Sequence, residues 1–177
     1  MSDRVSMRRA PQVDQVDLRL DAADAALGAR VGAALGVRLP IIANTETSSA
    51  DGDRHALWLG PDEWLIAGPR GSAAATETAI NEAAAGAFVT SVDVSDNRIV
   101  VEVSGRGSRA LLAFGCALDL DPRRFGPGSC AQTMVARAGV VLWCPTDEPD
   151  PVFRLLVRPS FASYLETWLR DAAVGLG

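Results

Sequence analysis

The chain has 177 residues, of which 48% are hydrophobic and 22% charged, and its formal net charge at pH 7 is −5. This length and composition fit one compact globular domain or two small domains packed closely together. The acidic balance argues against a protein that binds nucleic acid or an anionic membrane, because both partners require a basic face.

The first elements are a tail, a strand, a helix and a loop. Residues 1–12 are polar and lack the apolar stretch of a signal peptide, so we expect a mobile N-terminal tail. Apolar and charged residues alternate over 16–20, which predicts a half-buried strand. Asp21 is placed to cap a helix, in which apolar residues recur at helical spacing until Gly36 ends it. Residues 43–54 are polar and rich in turn formers, which predicts a surface loop.

The stretch ALWLGPDEWLIAG, residues 56–68, predicts a β-hairpin. Its two arms are rich in β-forming residues, and Pro61 and Asp62 occupy positions typical of a tight turn. Trp58 and Trp64 then lie opposite each other, where a cross-strand aromatic pair stabilises a hairpin by roughly 0.2–1 kcal/mol. We expect core or cross-strand packing for both rings. The alternative is an exposed anchor for a partner chain, since Trp is enriched at interface hot spots.

The remaining elements complete two similar halves. An alanine-rich helix over 72–86 and a strand over 87–94 give the first half a β-α-β-β-α-β order, which is typical of a ferredoxin-like fold. The second half is a looser β-α-β-β-β-α variant, and its last helix follows Pro159 with apolar residues at helical spacing. The sequence therefore predicts an α+β protein with two intimately packed ferredoxin-like βαββαβ-type halves, 13–94 and 95–177, and largely antiparallel sheets. Its further elements are strands over 97–104, 131–137, 140–144 and 152–158, with a hairpin about Ala138-Gly139, and a short helix over 107–115.

The stretch SGRGSRA formally matches a dinucleotide-binding fingerprint, with Gly105, Gly107 and Ala110 at the required spacing. A true fingerprint needs a parallel βαβ crossover and an acidic residue at the end of the next strand, about 20 residues further on. The next segment here is instead the loop-forming DLDPRRFGPGS. We therefore expect a tight turn from strand to helix and no nucleotide site.

Cysteine and histidine usage limits the chemistry of the chain. Cys116, Cys130 and Cys144 lie 14 residues apart, which matches neither a metal-ligand spacing nor a disulfide framework. We expect Cys116 and Cys144 to be buried, whereas Cys130 lies in a predicted loop, where a side chain is more exposed. His55 is the only histidine, so a multi-histidine metal site within this chain is excluded. Reduced thiols and the lack of an apolar run of ~18 residues predict a cytoplasmic protein.

The sequence offers no catalytic residue. A paired general acid and base needs one desolvated carboxyl group with a raised pKa. The carboxylate pairs of this chain lie in predicted turns, where acidic side chains are solvated. These pairs are Asp62 with Glu63, Asp119 with Asp121, and Asp147 with Glu148.

The order of several short motifs resembles the gamma subunits of heterotetrameric sarcosine oxidases. The resemblance covers about residues 35–173, and it implies the wider folate-binding class that includes the aminomethyltransferase of the glycine cleavage system. Two positions depart from the family pattern: Asp96-Asn97-Arg98 keeps one of two basic residues, and Arg158-Pro159 replaces Arg-Arg or Arg-Ser. The most specific motifs are LGPDEW (59–64), DVS (93–95), CALDL (116–120), GSCAQT (128–133), and SFA (160–162) before Trp168 and Leu169.

The resemblance implies a role inside an enzyme complex. In such complexes sarcosine is oxidised to glycine at a flavin in the beta subunit, with formation of hydrogen peroxide. The methyl carbon passes to tetrahydrofolate at the alpha subunit, which also holds NAD. The expected cofactors, FAD, FMN, NAD and tetrahydrofolate, then belong to the other subunits and none to this chain. The chain itself is expected to be a non-catalytic assembly subunit that binds alpha and beta subunits.

Two sets of residues follow as candidates for these roles. The first is a partner interface on segments that carry the densest motifs, because loops of specific sequence more often serve contact than core packing. The second belongs to the alternative function, a stand-alone folate-binding or aminomethyltransferase-like module, whose pocket would use Trp58, Asp93 and Arg98. The candidate interface residues are Asp62, Glu63, Trp64, Arg124, Gln132, Arg158 and Phe161.

Overall fold

The computed structural model describes residues 5–176, and the chain divides into two units. The N-terminal unit is Gln12–Asp96, and the C-terminal unit combines residues 5–11 with residues 97–176. Each unit contains one five-stranded antiparallel sheet and its own hydrophobic core. The predicted α+β class with antiparallel sheets is therefore confirmed.

The two units are built from ten strands and four helices within the described residues. In chain order these are β1 (Ser6–Arg9), β2 (Asp14–Leu20), α1 (Ala25–Leu35), β3 (Glu46–Ser48), β4 (His55–Gly60), β5 (Glu63–Gly68), α2 (Ala73–Ala84), β6 (Val89–Asp93), β7 (Ile99–Ser104), α3 (Ser108–Ala113), β8 (Ser129–Val135), β9 (Ala138–Thr146), β10 (Val152–Val157) and α4 (Pro159–Val174).

The sheet of the N-terminal unit has the strand order β3-β4-β5-β2-β6. Without β3 this is the ferredoxin-like arrangement, in which the first strand lies between the third and the fourth. The edge strand β3 corrects the sequence prediction, because residues 43–54 were expected to form only a loop. Glu46, Thr47 and Ser48 pair instead with β4. These three polar residues form a strand because they pair with a neighbouring strand, and such pairing cannot be recognised from the local sequence.

The C-terminal unit repeats the same arrangement with one exchange. Its order is β1-β7-β10-β9-β8, so β7, β10, β9 and β8 occupy the places of β2, β5, β4 and β3. The place of β6 is filled by β1, which lies near the N-terminus of the chain, far in sequence from the other strands of this sheet. The predicted mobile tail over 1–12 is therefore wrong for Ser6–Arg9, which pairs with β7. Residues 1–4 of that tail lie outside the described residues.

Contacts of β1 explain why this polar stretch is ordered. Met7 packs against the core of the C-terminal unit. Arg8 forms an ion pair with Glu102 at 2.6 Å, and Arg9 forms one with Glu166 at 2.5 Å. The neighbouring strand β7 is buried and hydrophobic, so pairing with β1 also satisfies backbone groups on its edge.

Two boundaries differ from the sequence predictions. Helix α1 is capped by Asp24, whose carboxylate accepts a hydrogen bond from the Leu27 backbone N–H at 2.9 Å, and not by Asp21. Asp21 accepts from the N–H of Ala23 and forms a turn just before the helix. The β8–β9 hairpin turns two residues earlier than predicted, since Val135 pairs with Ala138. Helix α4 begins at Pro159, as the sequence predicted.

Candidate functional site

The two tryptophans of the GPDE hairpin form a cross-strand pair. Trp58 on β4 lies directly opposite Trp64 on β5, as predicted. Trp64 is only 3% exposed and packs in the core of the N-terminal unit. Its indole N–H donates a hydrogen bond to the Pro40 carbonyl oxygen at 2.8 Å. The predicted packing role is thus confirmed for Trp64, which cannot act as an exposed anchor, whereas Trp58 is half-buried.

The hairpin forms one wall of a large open groove in the N-terminal unit. The groove has a volume of about 1070 Å³ and lies along helix α1, which supplies a second wall. The third wall is the segment 36–47, whose side chains Ile41 and Ile42 are 89% and 69% exposed. We call this feature the α1 groove. Two large apolar side chains exposed side by side at its rim are typical of an interaction surface.

The walls of the α1 groove carry little charge. Among the described residues that line it, the charged ones are Asp24, Arg38 and Glu46. Glu46 is bonded to His55 Nδ1 at 2.6 Å, and Asp24 caps α1. The remaining lining residues are mostly alanine, glycine and larger apolar side chains. Depletion of charge at the centre of a surface patch, with charges at its ends, is typical of protein–protein interfaces.

Gly28 is an unusual residue on the wall of the groove that α1 supplies. It lies in the interior of α1, where glycine is unfavourable. A Cβ atom added at Gly28 would meet no atom within 4 Å. At Gly32, one turn later, the chain itself favours glycine, because a Cβ atom there would lie only 3.0 Å from the Val37 carbonyl oxygen. No contact within the described chain therefore requires glycine at position 28.

Replacing Gly28 by alanine is expected to raise the free energy of unfolding by about 1 kcal/mol. Alanine removes the entropic cost of glycine in a helix, and the open space accepts its methyl group without a clash. Chemical denaturation followed by far-UV circular dichroism measures the effect. Gly32→Ala is the matched control and is expected to destabilise the chain, because its methyl group presses on backbone. Equal effects of the two substitutions would contradict this account.

The seven candidate interface residues divide between the two units. Asp62, Glu63 and Trp64 belong to the N-terminal unit, and the other four belong to the C-terminal unit. Asp62 is exposed at the hairpin turn. Glu63 pairs with Arg19 at 2.7 Å, and burial, together with the nearby charge of Asp17, raises the pKa of the Glu63 carboxyl. These contacts make Glu63 part of the hairpin's own structure.

In the C-terminal unit the four candidates are all exposed. Arg124 lies in the turn before β8, and Gln132 lies on β8, the edge strand of its sheet. Arg158 immediately precedes α4, and Phe161 in its first turn is 43% exposed. Their contact with a partner remains a prediction.

Two of the three residues proposed for a folate-like pocket, Trp58 and Asp93, lie apart in the N-terminal unit. Trp58 is on β4 and Asp93 on the edge strand β6, with β5 and β2 between them. At the usual spacing of adjacent strands this separates their backbones by about 14 Å. Arg98 belongs to the C-terminal unit. The N-terminal unit therefore does not bring Trp58 and Asp93 into one small pocket.

Asp93 instead has a structural role in the Asp-Val-Ser motif. Its carboxylate accepts hydrogen bonds from the Ser95 N–H at 2.9 Å and hydroxyl at 2.5 Å, and these bonds lower the pKa of Asp93. The Ser95 hydroxyl oxygen accepts in turn from the Gln15 backbone N–H at 3.0 Å. The Gln12 side chain donates to the Ser95 carbonyl oxygen at 2.7 Å. The motif thus fastens the end of β6 to the start of β2.

The glycine pair of SGRGSRA forms the tight turn that the sequence predicted. Gly105 has a φ of 105°, which favours glycine, and it directly follows β7 in the short turn that leads to α3. Both neighbours of β7 in the sheet, β1 and β10, run antiparallel to it. This segment is therefore not a parallel βαβ unit of the dinucleotide-binding kind.

A polar cluster around Arg109 was not predicted from the sequence. Its guanidinium donates to the carbonyl oxygens of Leu120 at 2.5 Å and Phe125 at 2.8 Å. The same group pairs with Asp147 at 2.5 Å and lies 5.0 Å from the centre of the Phe153 ring. Arg109 thus fastens the loop before β8 to the end of β9. The partners are distant in sequence, so only the regular helix around Arg109 was predictable.

All three cysteines are buried free thiols. This confirms the prediction for Cys116 and Cys144 and corrects the one for Cys130, which is fully buried at the start of β8. Burial, reinforced by the charge of Asp147, raises the pKa of the Cys144 thiol to about 12. A nucleophilic cysteine needs a lowered thiol pKa, so Cys144 is poorly suited to that chemistry.

The native chain is expected to resist alkylation at its cysteines. Iodoacetamide at pH 8 should leave Cys144 unmodified, because the thiolate is scarce at this pH and the side chain is inaccessible. The same treatment in denaturant should label all three cysteines, as mass spectrometry of the intact chain would record. Rapid labelling of Cys144 in the folded chain would contradict this description.

Two further properties of the described residues concern metal binding and membrane insertion. Within the described residues, no group of three or more His, Cys, Asp or Glu side chains is placed to hold a metal ion. None of the helices in residues 5–176 combines the length and apolarity needed to cross a membrane.

Comparison with known sequences identifies similar proteins over most of the chain. The family model described as sarcosine oxidase, gamma subunit family, matches residues 19–175. The sarcosine oxidase subunit gamma of Arthrobacter sp. is 36% identical over 144 residues, which cover 81% of this chain and 68% of that protein. The subunit gamma of Corynebacterium sp. strain U-96 is 32% identical over 173 residues, covering 95% and 78%.

Comparison with solved structures gives the same result. A chain of the heterotetrameric sarcosine oxidase from Corynebacterium sp. U-96, in complex with pyrrole 2-carboxylate, superposes with a TM-score of 0.88. The match is 30% identical and covers 99% of this chain and 87% of that chain. The glycine cleavage system aminomethyltransferase T from Bartonella henselae has a TM-score of 0.66 at 14% identity, covering 95% of this chain and 46% of that chain. This second likeness concerns the fold alone.

Proposed function

The chain belongs to the sarcosine oxidase gamma subunit family, and on that premise we propose that it binds the alpha and beta subunits of a sarcosine oxidase and catalyses no step itself. The α1 groove carries this proposal, because it presents Ile41 and Ile42 to solvent above nearly uncharged walls. Exposed apolar side chains beside a groove with few charges suit contact with a partner chain.

We propose that the complete complex oxidatively demethylates sarcosine to glycine in the cytoplasm. The methyl carbon passes to tetrahydrofolate, and hydrogen peroxide is formed. FAD, FMN, NAD and tetrahydrofolate would then be held by the other subunits. Three buried free thiols in this chain suit a reducing compartment.

The geometry of the chain supports a non-catalytic role. The antiparallel surroundings of Gly105 do not suit a dinucleotide, and Cys144 is buried with a raised pKa. Asp93 is engaged by Ser95. The alternative of a stand-alone folate-binding module has less support, since Trp58 and Asp93 lie on strands with two others between them.

The isolated chain tests the non-catalytic role. Purified alone, it is expected to be colourless, to form no peroxide with sarcosine, and to show no saturable change in tryptophan fluorescence with a reduced folate. Flavin copurified at nearly one per chain would contradict the proposal. Saturable fluorescence quenching by the folate, with Trp58→Phe as the control for the half-buried ring, would favour the alternative function.

A further inference from the structure

We propose that the α1 groove receives an apolar helix of another oxidase subunit, which packs parallel to α1 and approaches it most closely at Gly28. This inference rests on the proposed function and names the surface and the kind of partner segment that it uses. Three observations carry it: the open space at Gly28, the shape of the groove, and the charges at its two ends.

The space above Gly28 favours close approach by a second backbone. Helix α1 presents Ala25, Gly28 and Ala29 to the groove, and nothing lies within 4 Å of a Cβ at position 28. Helix axes approach to about 8 Å only where the side chains at the contact are small. Glycine at this position is unfavourable for the isolated helix, and close packing by a partner explains it.

The size of the groove indicates a helix as its occupant. Helix α1 spans Ala25–Leu35, which at 1.5 Å per residue is about 16 Å, or three turns. Roughly 20 residues line the groove, which is the number on one side of a standard protein–protein interface. A helix of three turns fits this length, and the exposed Ile41 and Ile42 would cover its outer flank.

The charged residues at the ends set the direction of the partner helix. Asp24 lies at the N-terminal end of α1, and Arg38 lies just beyond its C-terminal end. A helix parallel to α1 places its own N-terminus, the positive end of its dipole, beside Asp24, and its C-terminus, the negative end, beside Arg38, so both charges favour this direction. The expected occupant is therefore apolar in its middle, without an acidic side chain in the turn beside Asp24 or a basic one in the turn beside Arg38.

A second copy of this chain fits the groove less well. Helix α1 of another copy would bring alanine and glycine against alanine and glycine, which leaves a groove of about 1070 Å³ largely unfilled. The net charge of −5 on each copy also opposes self-association. Bulky apolar side chains from a different subunit fill the space.

Steric blocking of the groove tests the position of the interface. The tagged chain is co-expressed with the alpha and beta subunits of a sarcosine oxidase from the same genome, as wild type, Gly28→Leu and Ala74→Leu. Ala74 is an exposed residue on α2 outside the groove, so Ala74→Leu is the matched control. Circular dichroism checks that every variant folds. Gly28→Leu is expected to retain about tenfold less of the other subunits, while Ala74→Leu retains as much as wild type.

The outcomes separate this inference from the proposed function. If Gly28→Leu retains as much partner as wild type, the groove is not the interface, although the assembly role stands. If wild type itself retains neither subunit, the assembly role fails and the inference fails with it.

Site-specific cross-linking tests the occupant. The three native cysteines are buried, so Ile41→Cys gives the chain one accessible thiol, which is labelled with a maleimide photo-cross-linker before the chain is combined with the other subunits. The expected cross-linked peptide is an apolar helical segment of the alpha or beta subunit. A cross-link to a second copy of this chain would overturn the proposed occupant.

Discussion

Replacing Trp64 by alanine is expected to lower the free energy of unfolding by about 3–5 kcal/mol, the usual cost of truncating a buried large aromatic side chain. The ring is 3% exposed and packs with the core residues Val16 and Ile66. Its removal also deprives the buried Pro40 carbonyl oxygen of its indole donor. Guanidinium denaturation followed by circular dichroism measures the loss.

Trp58→Ala is the matched control, because it removes the same side chain from the paired position on β4. Trp58 is only half-buried, so the cost is expected to be about 1 kcal/mol, near the upper limit for a cross-strand pair. Trp64→Phe should fall between the two, since it keeps most of the packing and loses the hydrogen bond. Equal costs for Trp58→Ala and Trp64→Ala would contradict the assignment of Trp64 to the core.

Replacing Arg109 by methionine is expected to destabilise the C-terminal unit by about 3 kcal/mol. The substitution keeps much of the aliphatic packing but removes the donors to Leu120 and Phe125 and the partner of Asp147. Loss of one partner of a largely buried charged network typically costs 3–5 kcal/mol, and partial exposure of Asp147 places the expected value at the lower end. Thermal and chemical denaturation measure the effect.

Arg106→Met makes the same chemical change three residues earlier in the chain. Arg106 is 68% exposed and pairs with Asp150 at 3.3 Å, and an exposed ion pair contributes below about 1 kcal/mol. Its effect on stability should therefore be small. The account of the Arg109 cluster would be wrong if both methionine variants unfolded at the same denaturant concentration.

Elements with strong local patterns could be predicted from the sequence. The GPDE turn fixes the hairpin between β4 and β5, and helical spacing of apolar residues fixes α4 behind Pro159. Both patterns act between residues close in sequence. The fold class followed from the order of such elements.

Elements that depend on distant partners could not be predicted. The SMRR stretch of β1 is polar and short, and its pairing with β7 joins residues nearly a hundred positions apart. The same reason hides β3, which is ordered by pairing with β4. A strand of this kind is ordered by pairing with the edge of a sheet. That edge exists only once the sheet has folded, so the local sequence does not reveal it.

The candidate site was only partly visible in the sequence. The motif around Trp58, Pro61 and Trp64 was singled out, and the structure places all three on the α1 groove. The remainder of the groove was missed, because it is a space between α1 and the segment 36–47. Gly28 within a helical pattern was the one signal that could have pointed to it, since glycine in a helix interior calls for a packing or functional reason.

Co-purification tests the central claim most directly. The tagged chain is co-expressed with the alpha and beta subunits of a sarcosine oxidase from the same genome. Native mass spectrometry then measures the mass of the purified complex. We expect one complex that contains this chain with both other subunits and forms peroxide with sarcosine. Recovery of the chain alone, or only with further copies of itself, under conditions where the alpha and beta subunits are soluble would contradict the assembly role.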